Sequence, residues 1–178
     1  MSRHAPSRFS LVAAGLALAG SVLASLPASA QGGMVWEYHR YVQTNPFDTY
    51  LGLSYGVPQT DAVRASSQCN IGANWVYGSL TLAYDVSNLN EGDNVEVEIM
   101  APGYSMYHDA MVVKPQEGTW GISVALNLND PIWGVMASRN MLSYQVPGGA
   151  VEHLPLSGLA GVMGQYITDC SRIGDLRS

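Results

Sequence analysis

The stretch TWGISVALNL, residues 119–128, alternates strictly. Trp120, Ile122, Val124, Leu126 and Leu128 take one parity, and Thr119, Gly121, Ser123, Ala125 and Asn127 the other. Successive side chains of a strand point to opposite faces, so this pattern buries one face and leaves the other to solvent. Residues 76–86 repeat it, with Val76, Leu80, Leu82, Tyr84 and Val86 against Ser79, Thr81 and Asp85. So do residues 94–100, where Val95, Val97 and Ile99 alternate with Asn94, Glu96 and Glu98. Weaker versions run over 35–41, 50–57, 62–69, 104–113 and 141–146.

Turn chemistry falls between these runs: Asn45-Pro46, Pro58-Gln59-Thr60-Asp61, Asn90-Glu91-Gly92-Asp93, Pro102-Gly103, Glu117-Gly118 and Pro147-Gly148-Gly149. Their spacing, roughly 10–15 residues, is that of sandwiches and barrels. The expected fold is therefore all-β, an antiparallel sandwich or open barrel of roughly seven to ten strands. Asp130-Pro131-Ile132-Trp133 reads as a helical turn, with Asp130 as N-cap and Pro131 at the first helical position. A short C-terminal helix is expected from Leu159 to about Asp169, weakened by Gly161 and Gly164. Residues 173–178 are expected to fray.

The chain has 178 residues, of which 47% are hydrophobic and 12% charged, a composition that excludes disorder and a coiled coil. Arg3 and Arg8 precede an apolar run from Leu11 to Leu26, and Ala28 and Ala30 form an A-x-A site before Gln31. Residues 1–30 are thus expected to be a signal peptide cleaved after Ala30, and 31–178 a single β-rich domain, periplasmic or secreted. The run is shorter than the roughly 20 residues of a membrane-spanning helix, so no transmembrane anchor is expected in the mature chain. At about 148 residues, that chain is long enough to bury one core unaided.

The formal net charge is −6, and it becomes about −8 once Arg3 and Arg8 leave with the signal. Lys114, Arg40, Arg64, Arg139, Arg172 and Arg177 are scattered, which excludes a phosphate-tracking surface and hence nucleic acid. A cationic partner is electrostatically allowed. Cys69 and Cys170 are the only cysteines. In an oxidising compartment an even pair defaults to a disulfide, and neither residue has a second ligand or a C-x-x-C neighbour.

Candidate chemistry is sparse, and no cofactor is implied. No G-x-S-x-G elbow occurs, and His108 and Asp109, adjacent on a strand, face opposite ways. Glu96 and Glu98 share a strand face and match the carboxylate pair of a glycoside hydrolase, or simply a solvated face. Asn90, Glu91, Asp93 and Asn94 offer oxygen ligands for calcium without the EF-hand pattern; a hairpin turn accounts for the same residues. Ten tyrosines against two phenylalanines are accounted for by ordinary strand formation, or else by a recognition surface for which Tyr77, Tyr104 and Tyr107 are the candidates.

The pattern Tyr55-Gly56-Val57-Pro58 with Thr60-Asp61 and Cys69, then Asp130-Pro131-Ile132-Trp133, then Leu156-Ser157-Gly158 leading to Cys170, resembles a group of small exported bacterial proteins of uncharacterised function. The resemblance spans most of residues 50–172 and implies that the two cysteines are structural partners; it implies no activity or catalytic residues. A looser similarity to the invasion-associated locus B type of secreted protein rests on size, export and β content. The expected role is a non-enzymatic exported module binding a protein or envelope component. The alternatives are an envelope-glycan hydrolase using Glu96 and Glu98, and a structural envelope component.

Overall fold

The computed structural model describes residues 33–116 and 118–177; the expected signal peptide lies outside the described residues. Nine strands form one antiparallel sheet: β1 (Val35–Tyr41), β2 (Tyr50–Gly56), β3 (Val63–Ile71), β4 (Val76–Ala83), β5 (Asn94–Ala101), β6 (Tyr104–Val113), β7 (Gly121–Asn127), β8 (Met141–Gln145) and β9 (Glu152–Pro155). The order across the sheet is β1-β2-β3-β4-β7-β6-β5-β8-β9. Of the two architectures the alternation allows, the open one is present, a single curled sheet rather than two stacked ones. Its ends approach through side chains: Trp36 Nε1 of β1 donates to the Pro155 carbonyl of β9 at 3.0 Å, and Arg64 of β3 pairs with Glu152 at 3.1 Å. Arg64 reaches that position because a bulge between β2 and β3 interrupts the register, Tyr55 facing Ala65 but Gly56 facing Val63.

The inner face carries the parity read from the sequence. Leu51, Leu53, Leu80, Leu82, Val97, Ile99, Ile122, Val124, Leu142 and Tyr144 are all buried there. Two helices, α1 (Pro131–Ser138) and α2 (Ala160–Ser171), complete the core. α1 starts as expected, the Asp130 carboxylate accepting the Ile132 N–H at 2.9 Å, but it continues for eight residues rather than one turn. α2 has no side-chain cap, and its stability comes from three attachments to the sheet. Cys170 is disulfide-bonded to Cys69 of β3 with Cα atoms 5.6 Å apart. Tyr166 shares a 2.8 Å hydrogen bond with Ser67, and Asp169 accepts from Tyr38 at 2.9 Å and Arg40 at 3.0 Å.

Two local expectations are corrected. Residues 173–175 do not fray; they form a 3-10 turn, and Ile173 is buried against the core. Trp120 leaves the buried parity: it precedes β7, is 54% exposed, and donates its indole N–H to the Pro115 carbonyl with the Lys114 ammonium over its ring. Strand β9 has no counterpart in the periodicity, because four residues are too few to establish one. Among the described residues no helix is long and apolar enough to cross a membrane.

Burial holds the phenols of Tyr144 and Tyr166 up to about 12, and burial with the Asp169 hydrogen bond raises Tyr38 further. A raised folded-state value contributes stability that is complete below the free phenol value of about 10 and is lost as pH climbs through the folded value. For Tyr166 alone the loss is about 2–3 kcal/mol. The urea midpoint is therefore expected to fall steeply from about pH 10 upward. A midpoint that stays level through that range would contradict the buried, neutral state of these rings.

Candidate functional site

The outer face of the sheet is built from the opposite parity. From β2 to β7 its residues are short and polar: Ser54 lies across from Ser66, Ser66 from Thr81, and Thr81 from Ser123. Short side chains make a shallow floor, and taller residues at its margins turn parts of it into clefts.

One cleft of about 300 Å³ lies where β4, β7 and β6 meet. Ser79, Ser123 and Ala125 line it together with Tyr77, Met111 and Asp109. Tyr77 stands on β4 with its ring stacked on Trp75, centroids 4.5 Å apart and planes 24° from parallel. Trp75 is 44% exposed, so the stacked pair presents an aromatic wall to solvent. Asp109 brings charge to the same cleft. Directly across the ladder from Asp109 is Glu96, and Glu98 lies two residues further along that face. Like charges directly opposite on a sheet destabilise it. Among the described residues the only side-chain ion pairs are Arg40–Asp169 and Arg64–Glu152, so these three carboxylates are not neutralised. Their field is felt by Tyr107, opposite Glu98, whose phenol is raised chiefly by that carboxylate, with smaller contributions from burial and Glu96.

The sequence candidates are thus distributed unevenly. Tyr77 and Tyr107 are on the outer face, Tyr77 in the cleft and Tyr107 exposed beside Glu98. Tyr104 takes the inner parity of β6, half-buried, its hydroxyl 3.3 Å from His108 Nε2. His108 and Asp109 point to opposite faces. Glu98 accepts the Ser105 hydroxyl at 2.7 Å, and neither Glu96 nor Glu98 lines any of the clefts described here. The Asn90–Asp93 segment is a turn whose Asp93 carboxylate accepts the Asn90 N–H at 2.8 Å. Among the described residues no group of three His, Cys, Asp or Glu is placed to hold a metal ion.

A hydroxyl–imidazole pair escaped the sequence reading. His39 Nε2 of β1 is 2.8 Å from Ser54 Oγ of β2, in a cleft of about 340 Å³ that also includes Glu37, Tyr50 and Gln59. The residues are fifteen apart, and only the β1–β2 register brings them together. Gln59 lines this cleft from a turn in which it holds φ at 61°, a left-handed conformation that costs a non-glycine residue about 1–2 kcal/mol. Hydroxyl and imidazole here have the reach of a nucleophile and its base. An acyl-transfer site also needs the far imidazole nitrogen oriented and amide donors aimed at an oxyanion. Glu37 lies across from Ser54, and Ser54 sits mid-strand with β1 on one side and β3 on the other, so its neighbouring backbone amides belong to the ladder. The arrangement suits polar recognition.

No family model matches the sequence, and no curated protein matches it. Among solved structures, the chain is similar to the crystal structure of invasion associated protein B from Bartonella henselae, with a TM-score of 0.47 and 12% sequence identity, covering 76% of this chain and 94% of that one.

Proposed function

We propose that the protein is an exported, non-enzymatic binding domain that receives a cationic protein or envelope component on the outer face of its sheet. The observation that carries this reading is the unneutralised carboxylate set Glu96, Glu98 and Asp109, with Glu96 and Asp109 directly opposed at a cost to the fold. A partner's ammonium or guanidinium group relieves that repulsion. In the adjoining cleft it also meets Tyr77, whose ring is stacked on the exposed Trp75 and belongs to a class of side chain that attracts cations. Tyr107 beside Glu98 supplies an exposed aromatic contact of the kind enriched in protein interfaces. Export is supported by the signal-like residues 1–30 together with the disulfide.

The test is a calorimetric titration with a small basic protein such as a lysozyme, at low salt and again at on the order of 0.5 M salt, where screening extends only a few ångströms. Affinity is expected to fall at least about tenfold with salt, and a similar loss is expected for the Glu96→Gln/Asp109→Asn variant. That variant is also expected to gain roughly 0.2–1 kcal/mol of stability from the removed repulsion. Binding that ignores salt, or survives the double substitution unchanged, would overturn the proposal. The hydrolase reading lacks comparable support, since Glu96 and Glu98 stand outside the clefts.

A further inference from the structure

At the other end of the sheet, β5, β8 and β9 form an open cleft of about 610 Å³ on the outer face. Its walls include Met100, Met141, Val151, Gln145 and His153. The register explains how three of these meet. Met100 of β5 lies directly across from Ser143 of β8, and Ser143 directly across from His153 of β9. Met141 is two residues from Ser143 on the same face, diagonal to both Met100 and His153. Three long side chains thus surround one short one, and strand spacing of about 4.8 Å leaves each within reach of the space above Ser143. Ser143 Oγ is 2.9 Å from His153 Nδ1. With Nδ1–H as the donor in that bond, the ring is held and Nε2 keeps its lone pair for a ligand.

Two thioethers and an imidazole form a soft donor set, and thioethers select monovalent copper and its analogue silver over hard or borderline cations. Both cysteines of the chain are in the disulfide, so no thiolate competes for such an ion. Glu98 lies across from Gln145 at the rim and adds negative charge nearby. We infer that Met100, Met141 and His153 form a binding site for a soft monovalent metal ion, Cu(I) or Ag(I).

Silver is the probe, being stable in air and unable to reduce the disulfide. In chloride-free buffer, Ag(I) is titrated into the folded, disulfide-bonded protein while the methionine methyl and histidine ring signals are followed by NMR. The Met100 and Met141 methyls and the His153 ring are expected to shift together at one equivalent, with Met34, Met106, Met111, Met136 and Met163 unmoved. Met100→Leu/Met141→Leu keeps the apolar volume and removes both sulfurs; it is expected to lose at least about 100-fold in Ag(I) affinity with an unchanged urea midpoint. His153→Gln is expected to lose about 10–100-fold. A cleft that merely docks an apolar group would be indifferent to the leucine variant, so equal silver affinity in that variant overturns the inference. So does a silver titration that moves the other methionines first.

Discussion

Replacing Cys69 and Cys170 together with alanine is expected to lower the unfolding free energy by about 3–5 kcal/mol, most of the net stability of a modest domain. The bridge closes a loop of 101 residues, for which the chain-entropy model gives about 4.7 kcal/mol. Its position adds a second effect. α2 contains Gly161 and Gly164 and has no side-chain cap, so on its own it is a poor helix. Its hold on the sheet is the disulfide, the Tyr166–Ser67 hydrogen bond and the Asp169 contacts with Tyr38 and Arg40. Without the first of these, α2 amide protons are expected to exchange before those of β4 and β7. Urea titration of the variant against the oxidised protein, followed by hydrogen exchange, reads both effects. A midpoint within error of the parent would mean that the noncovalent attachments suffice.

Trp133→Ala is expected to cost about 3–5 kcal/mol, the range for removing a large buried aromatic side chain. The indole is 4% exposed, donates Nε1–H to the Asn127 carbonyl at 2.8 Å and meets the Tyr166 ring edge-on at 6.1 Å. It seats over Gly78, where an added Cβ would come within 2.7 Å of the indole. Helix α1, α2 and the sheet therefore converge on this one ring. Trp133→Phe keeps an aromatic ring in the site and is expected to lose about 1 kcal/mol with the hydrogen bond, the Asn127 carbonyl retaining the Asp130 N–H at 3.0 Å as its donor. Thermal unfolding of the two variants separates the packing contribution from the polar one; equal losses would place the importance of Trp133 in its N–H instead.

How far these features could be read in advance depended on their range. Alternation over 76–86, 94–100 and 119–128 is local, and each run became a strand of the expected parity. Asp130 and Pro131 act within one helical turn, so the start of α1 was legible as well. Trp120 shows the limit of the same method: it continues the alternation in sequence, but the strand begins one residue later and the ring turns out to the Pro115 carbonyl. β9 is too short to be seen, although Leu154 on it is buried.

The candidate sites were less legible than the fold, because each is made by register between strands. Glu96 opposite Asp109, His39 beside Ser54, and Met100 with Met141 and His153 are separated by 13, 15 and up to 53 residues. The Pro102-Gly103 turn sets the β5–β6 register and so favours the Glu96–Asp109 pairing locally, whereas nothing in the local pattern brings Met100 to Met141 and His153.

The sequence by itself determined the strand class, the facing of Tyr77, Glu96 and Glu98, the cap of α1 and the pairing of the two cysteines. All of these follow from the period of two, from nearest-neighbour chemistry, or from there being one possible partner. Only the tertiary structure decided that nine strands make one open sheet in the order β1-β2-β3-β4-β7-β6-β5-β8-β9, and which outer-face residues became neighbours. An antiparallel ladder can form between many pairs of strands with similar local energies. The choice among them comes from how the buried faces pack around α1, α2 and the disulfide, a sum over contacts distant in sequence.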